Sequence, residues 1–378
     1  MAISAVGVIF SNMHEEVVPE LVRKRTMASI PFGGRYRLID FNLSNMVNSG
    51  ITDIRVVTQY NYQSLMDHIG SGKDWDLARR SGGIKILLPN LRASQNYQVG
   101  GHSRLESLMG IAASLNHIKE DYVIMADCDG ICNIDLEDLL RDHIAYNADI
   151  TMMTKRMTLN GAISETATII DADESGRIVD MAMNPKYAEG EHDVALNIIV
   201  VNTKYLQSFV QESIAHGFTS LTRDIMMRHK DERVYRVYRY DGAFATISSL
   251  EDYFATSMEL ITNTAFRSAL FGIDRRPVLT KVRNSAPTRY TDSSVAKNSL
   301  IADGCTIDGT VENCILFRGV KIGRGAVVKN CILYQDTVVG ENVFMNCVIS
   351  DKNTVIRDGN VLSGHPSKPY FIGKNQML

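Results

Sequence analysis

Ile124-Met125-Ala126-Asp127-Cys128-Asp129 offers the sharpest set of side chains able to coordinate or ionise. An Asp-x-Asp pair closing an apolar run suits Mg2+, a small hard cation that takes carboxylate oxygens. The other reading is a turn in which both Asp side chains serve as local acceptors. Cysteines form a second set. Asn313-Cys314-Ile315, Asn330-Cys331-Ile332 and Asn346-Cys347-Val348 recur after 17 and 16 residues, with Asn298-Ser299-Leu300 one step earlier. These thiols are either a metal or redox site or a stacked ladder of small, half-apolar side chains. The regular spacing, without any Cys-x-x-Cys pair, predicts the ladder, reduced and metal-free.

These groups need elements to hold them, and the chain changes character near residue 290. Ile3 to Phe10, Ile54 to Thr58, Ile84 to Leu88, Tyr122 to Met125 and Ile150 to Thr154 are short apolar or β-branched runs. Helical spacing lies between them, as in Leu105, Leu108, Met109, Ala112 and Leu115. Alternating strands and helices predict an α/β domain with a largely parallel sheet. Ile169 to Val179 reads as a hairpin with a polar turn, which makes the sheet mixed, and Ser249 to Phe271 reads as one closing helix. Beyond Asp292 the apolar residues Val295, Ile301 and Ile307, then Ile322 and Val328, recur every six residues. That period is the mark of a parallel β-helix. The expected boundaries are 1–272 for the α/β domain, 273–290 for a linker and 291–378 for the β-helix.

Composition narrows the function classes. Lys plus Arg number 40 against 43 Asp plus Glu, a net charge of −3, which removes the footprint of a general nucleic-acid binder. No run approaches the roughly 18 apolar residues of a membrane span, and no basic-then-apolar leader opens the chain. Six cysteines in 378 residues make no disulfide framework, so a reducing cytoplasm is expected.

The block from Pro31 through Phe32-Gly33-Gly34-Arg35-Tyr36-Arg37-Leu38-Ile39-Asp40-Phe41-Asn42 to Asn45, with Asn48-Ser49-Gly50, closely resembles bacterial glucose-1-phosphate adenylyltransferase (ADP-glucose pyrophosphorylase). Thr58-Gln59-Tyr60, His68-Ile69-Gly70, Trp75-Asp76-Leu77, Asn298 to Cys305 and Leu316 to Val320 are similar to the same family. The resemblance implies a Rossmann-like (GT-A-like) nucleotidyltransferase domain joined to a left-handed parallel β-helix. It also implies a reaction in which glucose 1-phosphate attacks the α-phosphate of ATP and expels pyrophosphate. Such transfer runs on positioning and charge neutralisation, by backbone amides, cationic side chains and Mg2+.

Residue by residue, that machinery is altered here. The family's G-G-x-G-x-R-L loop corresponds to Ser11-Asn12-Met13-His14-Glu15-Glu16, with no glycine, no arginine and two carboxylates. Met27 stands where the K-P-A-V-P-F pattern has lysine, Asn184 where E-K-P has lysine, and Thr246 where W-R-D-V-G-T has its metal aspartate. Arg23, Lys24 and Arg25 are either substitutes for the first lysine or a solvated basic turn. Asp129 falls on the remaining metal position, so Asp127 and Asp129 are the residual metal candidates.

The expectation is therefore a chain with no catalytic set and no cofactor of its own. It is similar to the family's non-catalytic subunit type, which joins a catalytic homologue in a heterotetramer, with Mg2+ in that partner alone. A homo-oligomer is the alternative assembly, and an active adenylyltransferase with unusual ligands the alternative function. Acyl transfer on the coil is a third, but it calls for a coil histidine and the region after 291 holds only His365. Arg35, Arg37 and Arg318 are candidates for binding a phosphorylated sugar effector at a subunit or domain junction, since guanidinium forks match phosphate oxygens. Their other reading is an inter-domain salt-bridge network.

Overall fold

The computed structural model describes residues 4–89, 103–162, 167–183, 185–272 and 275–378. Its first domain is built on a nine-stranded mixed sheet. Ala5–Phe10 lies at the centre, parallel to Asp53–Val57 on one side and to Tyr122–Asp127 on the other. Gly83–Leu87 extends the parallel part beyond Asp53–Val57. Tyr187–Asn202 runs antiparallel to Tyr122–Asp127 and carries the long partner Ile150–Ala162. Thr168–Ala172 and Ile178–Met183 form the expected hairpin on the same flank.

Alternation along the central strand explains its burial on both faces. Val6, Val8 and Phe10 enter one core, while Ala5 and Ile9 enter the other. Gly7, on the second face, leaves room for the Met46 thioether, which occupies the space a Cβ would need. The closing segment is two helices, not one. Leu250–Thr262 ends at Asn263, whose side chain accepts from the Phe266 N–H and starts Thr264–Phe271. A capping Asn stops one helix and opens the next, so apolar spacing alone concealed the break.

From Arg289 the chain winds as a left-handed β-helix with three five-stranded parallel sheets. Ile307, Ile322 and Val328 point into its core, whereas Val295 in the first coil is 40% exposed. The register corrects the cysteine ladder. Ile315 pairs with Ile332 and Ile332 with Ile349, so Val348, not Cys347, follows Cys314 and Cys331 in the stack. Cys314 and Cys331 do stack, the Cys331 N–H lying 3.4 Å from the Cys314 sulfur. Left-handed corners fall on Asn298, Asn313 and Asn330 and then on Cys347, at φ 51°. Asn346 is instead the last residue of strand Phe344–Asn346, from which its side chain still accepts from Asn330 at 2.8 Å.

One sheet of the coil turns its outer side chains toward the first domain. Ile315, Phe317, Ile332, Tyr334 and Ile349 join the same core as Phe32, Tyr253 and Leu260. At its edge the Arg25 guanidinium meets Asp351 at 2.6 and 2.9 Å, with both side chains buried and the Tyr334 ring beside the cation. Removing one partner of a buried pair strands the other charge, whereas removing both does not. Asp351→Ala is expected to cost about 3–5 kcal/mol, and Arg25→Met with Asp351→Leu to recover most of it. Urea unfolding midpoints of the variants decide this, and an unaffected Asp351→Ala would show the pair to be idle.

Candidate functional site

The parallel strands Ala5–Phe10 and Tyr122–Asp127 end side by side, Phe10 opposite Asp127. Ligand sites of open α/β sheets form at that edge, where strand order reverses. Asp127 and Asp129 both point into it and are buried. After Asp129, strand Gly130–Cys132 pairs antiparallel with Phe244–Thr246, which sets Thr246 opposite Gly130. The Ile247 N–H donates to the Asp129 carbonyl at 2.8 Å, so the position expected to hold a second metal carboxylate lies beside Asp129 and carries a hydroxyl.

The charge on the aspartates is met by the chain itself. Arg104 grips Asp127 through Nε at 2.9 Å and Nη2 at 2.5 Å, and also donates to Asn197 Oδ1 at 2.8 Å. Asn197 in turn donates to Asp129 Oδ2 at 3.0 Å. His14 brings Nε2 to 3.2 Å from Asp127 and 3.9 Å from Asp129. It reaches them because its backbone is left-handed, φ 61°, turning the loop inward just after the first strand. Burial pushes the imidazole down, but the Asp129 charge and the Asp127 hydrogen bond outweigh it and hold its pKa at about 9. Burial pushes Asp127 up as well, yet Arg104 and His14 bring it below its ordinary value. Asp129, for which burial dominates, lies above its ordinary value, and its Oδ1 has no partner among the described residues.

The loop that would receive a polyphosphate is likewise closed on itself. Asn12 Oδ1 accepts from Ser11 Oγ, Thr58 Oγ1 and the Gln59 N–H, at 2.9, 3.2 and 2.9 Å. Its Nδ2 donates to Glu15 Oε1 at 2.8 Å, and Glu15 also accepts from the Met27 N–H at 3.0 Å. Glu15 is therefore turned inward, its carboxyl raised by burial to about 7, while Glu16 faces solvent. Met27 is fully buried as a core residue. Of the nearby cations, Arg25 is spent on Asp351, and Arg23 and Lys24 are exposed. Asn184 lies outside the described residues.

Arg35, Arg37 and Arg318 converge elsewhere, on a recess between the two domains that Arg283 and Lys352 also line. Gly33 and Gly34, both at positive φ, turn the hairpin Pro31–Phe32 to Tyr36–Arg37 that presents the first two. Among the described residues these arginines form no inter-domain ion-pair network. Arg318 pairs with Asp303 of its own coil at 3.0 Å, and Arg37 donates to Ser64 Oγ at 3.0 Å. Arg35 stands exposed over the Tyr36 ring. Among the described residues the charged inter-domain contact is Arg25–Asp351 instead.

Mg2+ would have to compete with the chain's own cations at this edge. The nearest donors, His14, Asp127 and Asp129, have ligand atoms within 4.8 Å of one another. A protonated imidazole has no lone pair to give, however, and the Asp127 oxygens already face a guanidinium. Sequence reading assigned no role to His14, Arg104 or Asn197. Only the unmatched carboxylates could have signalled that cations must arrive from somewhere.

A mixed α/β sheet with its cleft at the strand ends, joined to a hexapeptide coil, defines a nucleotidyltransferase scaffold. Residues 19–216 match the nucleotidyl transferase family and residues 285–368 the GlmU-like C-terminal hexapeptide family. The chain is 33% identical to the glycogen biosynthesis protein GlgD of Bacillus subtilis, over 97% of this chain and 95% of that one. GlgD of Geobacillus stearothermophilus is 35% identical, over 85% and 82%. The glucose-1-phosphate adenylyltransferase of the same organism is 31% identical, over 79% and 76%. The chain belongs to the nucleotidyl transferase family, in the branch that holds the GlgD proteins and the glucose-1-phosphate adenylyltransferases.

The raised His14 pKa has a consequence for stability. An imidazole near 6.5 when unfolded and about 9 when folded stabilises fully below pH 6.5, and that contribution is lost as pH rises through 9. His14→Gln is expected to lose up to about 3 kcal/mol at pH 6 and much less at pH 9.5. Parallel urea titrations of both proteins check it, and a pH-independent difference would mean that the imidazole is neutral in the fold.

Proposed function

We propose that this chain is a non-catalytic subunit of an ADP-glucose pyrophosphorylase assembly in glycogen biosynthesis, acting on a catalytic homologue. The observation that carries this reading is the filled metal edge, where His14 and Arg104 neutralise the aspartates that would otherwise recruit Mg2+. Thr246 beside Asp129 and the self-bonded Asn12 loop point the same way. A group that cannot turn over substrate acts only by favouring one conformation of its partner. The proposed assembly is a cytoplasmic heterotetramer in which Mg2+ belongs to the partner.

The recess lined by Arg35, Arg37, Arg283, Arg318 and Lys352 is the proposed effector site, for a phosphorylated sugar. Burial, then the repulsion of Arg37 and Arg25, lowers the Lys352 ammonium to about 7. Binding an anion recharges that lysine. Between pH 7 and 9, where a phosphate monoester is already dianionic, affinity is expected to fall several-fold. Lys352→Met should flatten that profile, and fluorescence titration with glucose 6-phosphate at several pH values reads both. A profile unchanged by the substitution would move the effector elsewhere.

The central test is an assay of ATP and glucose 1-phosphate turnover. The chain alone, and its Thr246→Asp variant, are expected to remain at background, because His14, Met27 and Asn12 still block the other requirements. Mixed with a catalytic homologue, the chain should change turnover or effector response. If that homologue's own metal aspartate is removed and the mixture still turns over, the non-catalytic reading fails.

A further inference from the structure

We propose that the outer face of one sheet of the coil docks on the same face of a second copy of this chain, with the two coils antiparallel. The sheet is built from Val295–Lys297, Thr310–Glu312, Val327–Lys329, Phe344–Asn346 and Val361–Ser363. This docking does not depend on whether the chain turns over substrate.

In each of these strands the middle residue points into the coil and the two beside it point out. Val311, Val328 and Met345 accordingly sit in the coil core. The first outward row, in register, is Val295, Thr310, Val327, Phe344 and Val361. Four of the five are apolar, and Val295, Phe344 and Val361 stand 40%, 39% and 71% exposed. Single exposed apolar side chains need no explanation, but a row of them aligned from strand to strand marks a contact surface. The coil itself shows what such a row is for. On the sheet facing the first domain, the corresponding row is Leu300, Ile315, Ile332, Ile349 and Phe371, and it packs into that domain's core. On the third sheet the row carries Arg289, Thr306 and Lys321 before Val338 and Val355.

The second outward row selects the occupant. It reads Lys297, Glu312, Lys329, Asn346 and Ser363, and within the chain Lys329 Nζ meets Glu312 Oε2 at 2.9 Å. A two-fold axis parallel to the strands, between the second and third of them, lays each outward row on its own copy in reversed order. Glu312 then faces Lys329 of the second copy, and Lys329 faces its Glu312, so four charges alternate in a square. The same operation sets Val295 on Phe344, Thr310 on Val327 and Lys297 on the neutral Asn346. Moving the axis onto the third strand would oppose Lys329 to Lys329, so charge fixes the register. With strands about 4.8 Å apart, the four paired strands stand only about 14 Å tall. That is small beside the roughly 800 Å² per partner of a standard interface, so the dimer is reversible rather than permanent.

Sedimentation velocity of the full chain alone, across micromolar concentrations, tests this. A larger species is expected to grow in with concentration. Glu312→Lys and Lys329→Glu should each weaken the association at least about tenfold, or about 1.4 kcal/mol. Mixing the two single variants should restore it, because the two lysines of one then meet the two glutamates of the other. No contact within one chain can produce that recovery. Phe344→Lys should also weaken association while leaving the urea unfolding midpoint in place. A wild-type chain that does not self-associate, variants that associate as it does, or no recovery on mixing would overturn the proposal. If the variants impair only assembly with a catalytic homologue, the face belongs to that partner and the second-copy proposal fails. None of these outcomes touches turnover, so the non-catalytic reading stands or falls separately.

Discussion

Two carboxylates buried at the end of a central strand cannot be left uncompensated, and most of the local structure here follows from that constraint. Isolated burial of one ionised carboxylate is costly enough that a fold must protonate it, pair it or give it a metal. This chain pairs it. Arg104 covers both oxygens of Asp127 and is anchored on Asn197, which also reaches Asp129. His14 closes the other side from a left-handed backbone position. The loop must therefore turn inward after Phe10, and Asn12 and Glu15 hold that turn through bonds to Gln59 and Met27. A polyphosphate loop would have to stay open. Charge compensation and an open polyphosphate loop compete for the same backbone here, and the loop is turned inward.

The same loop region leads directly to the second domain. Helix Pro19–Val22 ends just before Arg25, whose Nη1 donates to the Leu21 carbonyl at 3.0 Å while Nη2 holds Asp351. Next to Asp351 in sequence, Lys352 lines the recess with Arg35, Arg37 and Arg318. Tyr253 ties the closing helix to the Pro31 carbonyl at 2.7 Å and meets Tyr334 edge-on. A charge arriving in the recess is thus adjacent to the contact that fixes the domains together. Adjacency alone is not coupling; it identifies where coupling would have to run.

The parts legible in the sequence are those written in local patterns. Six-residue periodicity located the coil, and short apolar runs located the parallel strands, because each depends only on residues close in the chain. The placement of Thr246 beside Asp129 followed from resemblance, not from any period. What escaped was long-range or a matter of register. His14 meets Asp127 across 113 residues, and nothing near either one announces the other. Cys347 repeats an Asn-Cys pattern yet lies one place off the stack, because the pairing advances 17 residues at both steps, Ile315 to Ile332 to Ile349, while the motif advances only 16 at the second and so puts its Asn at the strand end. Asn263 carries no apolar signal, so a break between two helices read as continuity.

Beside the substitutions at Met27 and Thr246, this edge carries additions of its own, His14 and Arg104 on the aspartates. Losing a metal carboxylate, Thr246 for Asp, would leave Asp127 and Asp129 with a surplus of negative charge and no cation. The cleft is stable because His14 and Arg104 supply that charge from within, and because Ser103 and Ser220 close the helical turns that face it. Each addition also makes restoration harder. Putting an aspartate back at 246 would add a third carboxylate to a network already balanced, and would raise His14 further rather than admit Mg2+. Reversal needs the imidazole and the guanidinium to leave together, and with them the inward turn that Asn12 and Glu15 maintain. The interactions that occupy this edge are the same ones that keep it folded.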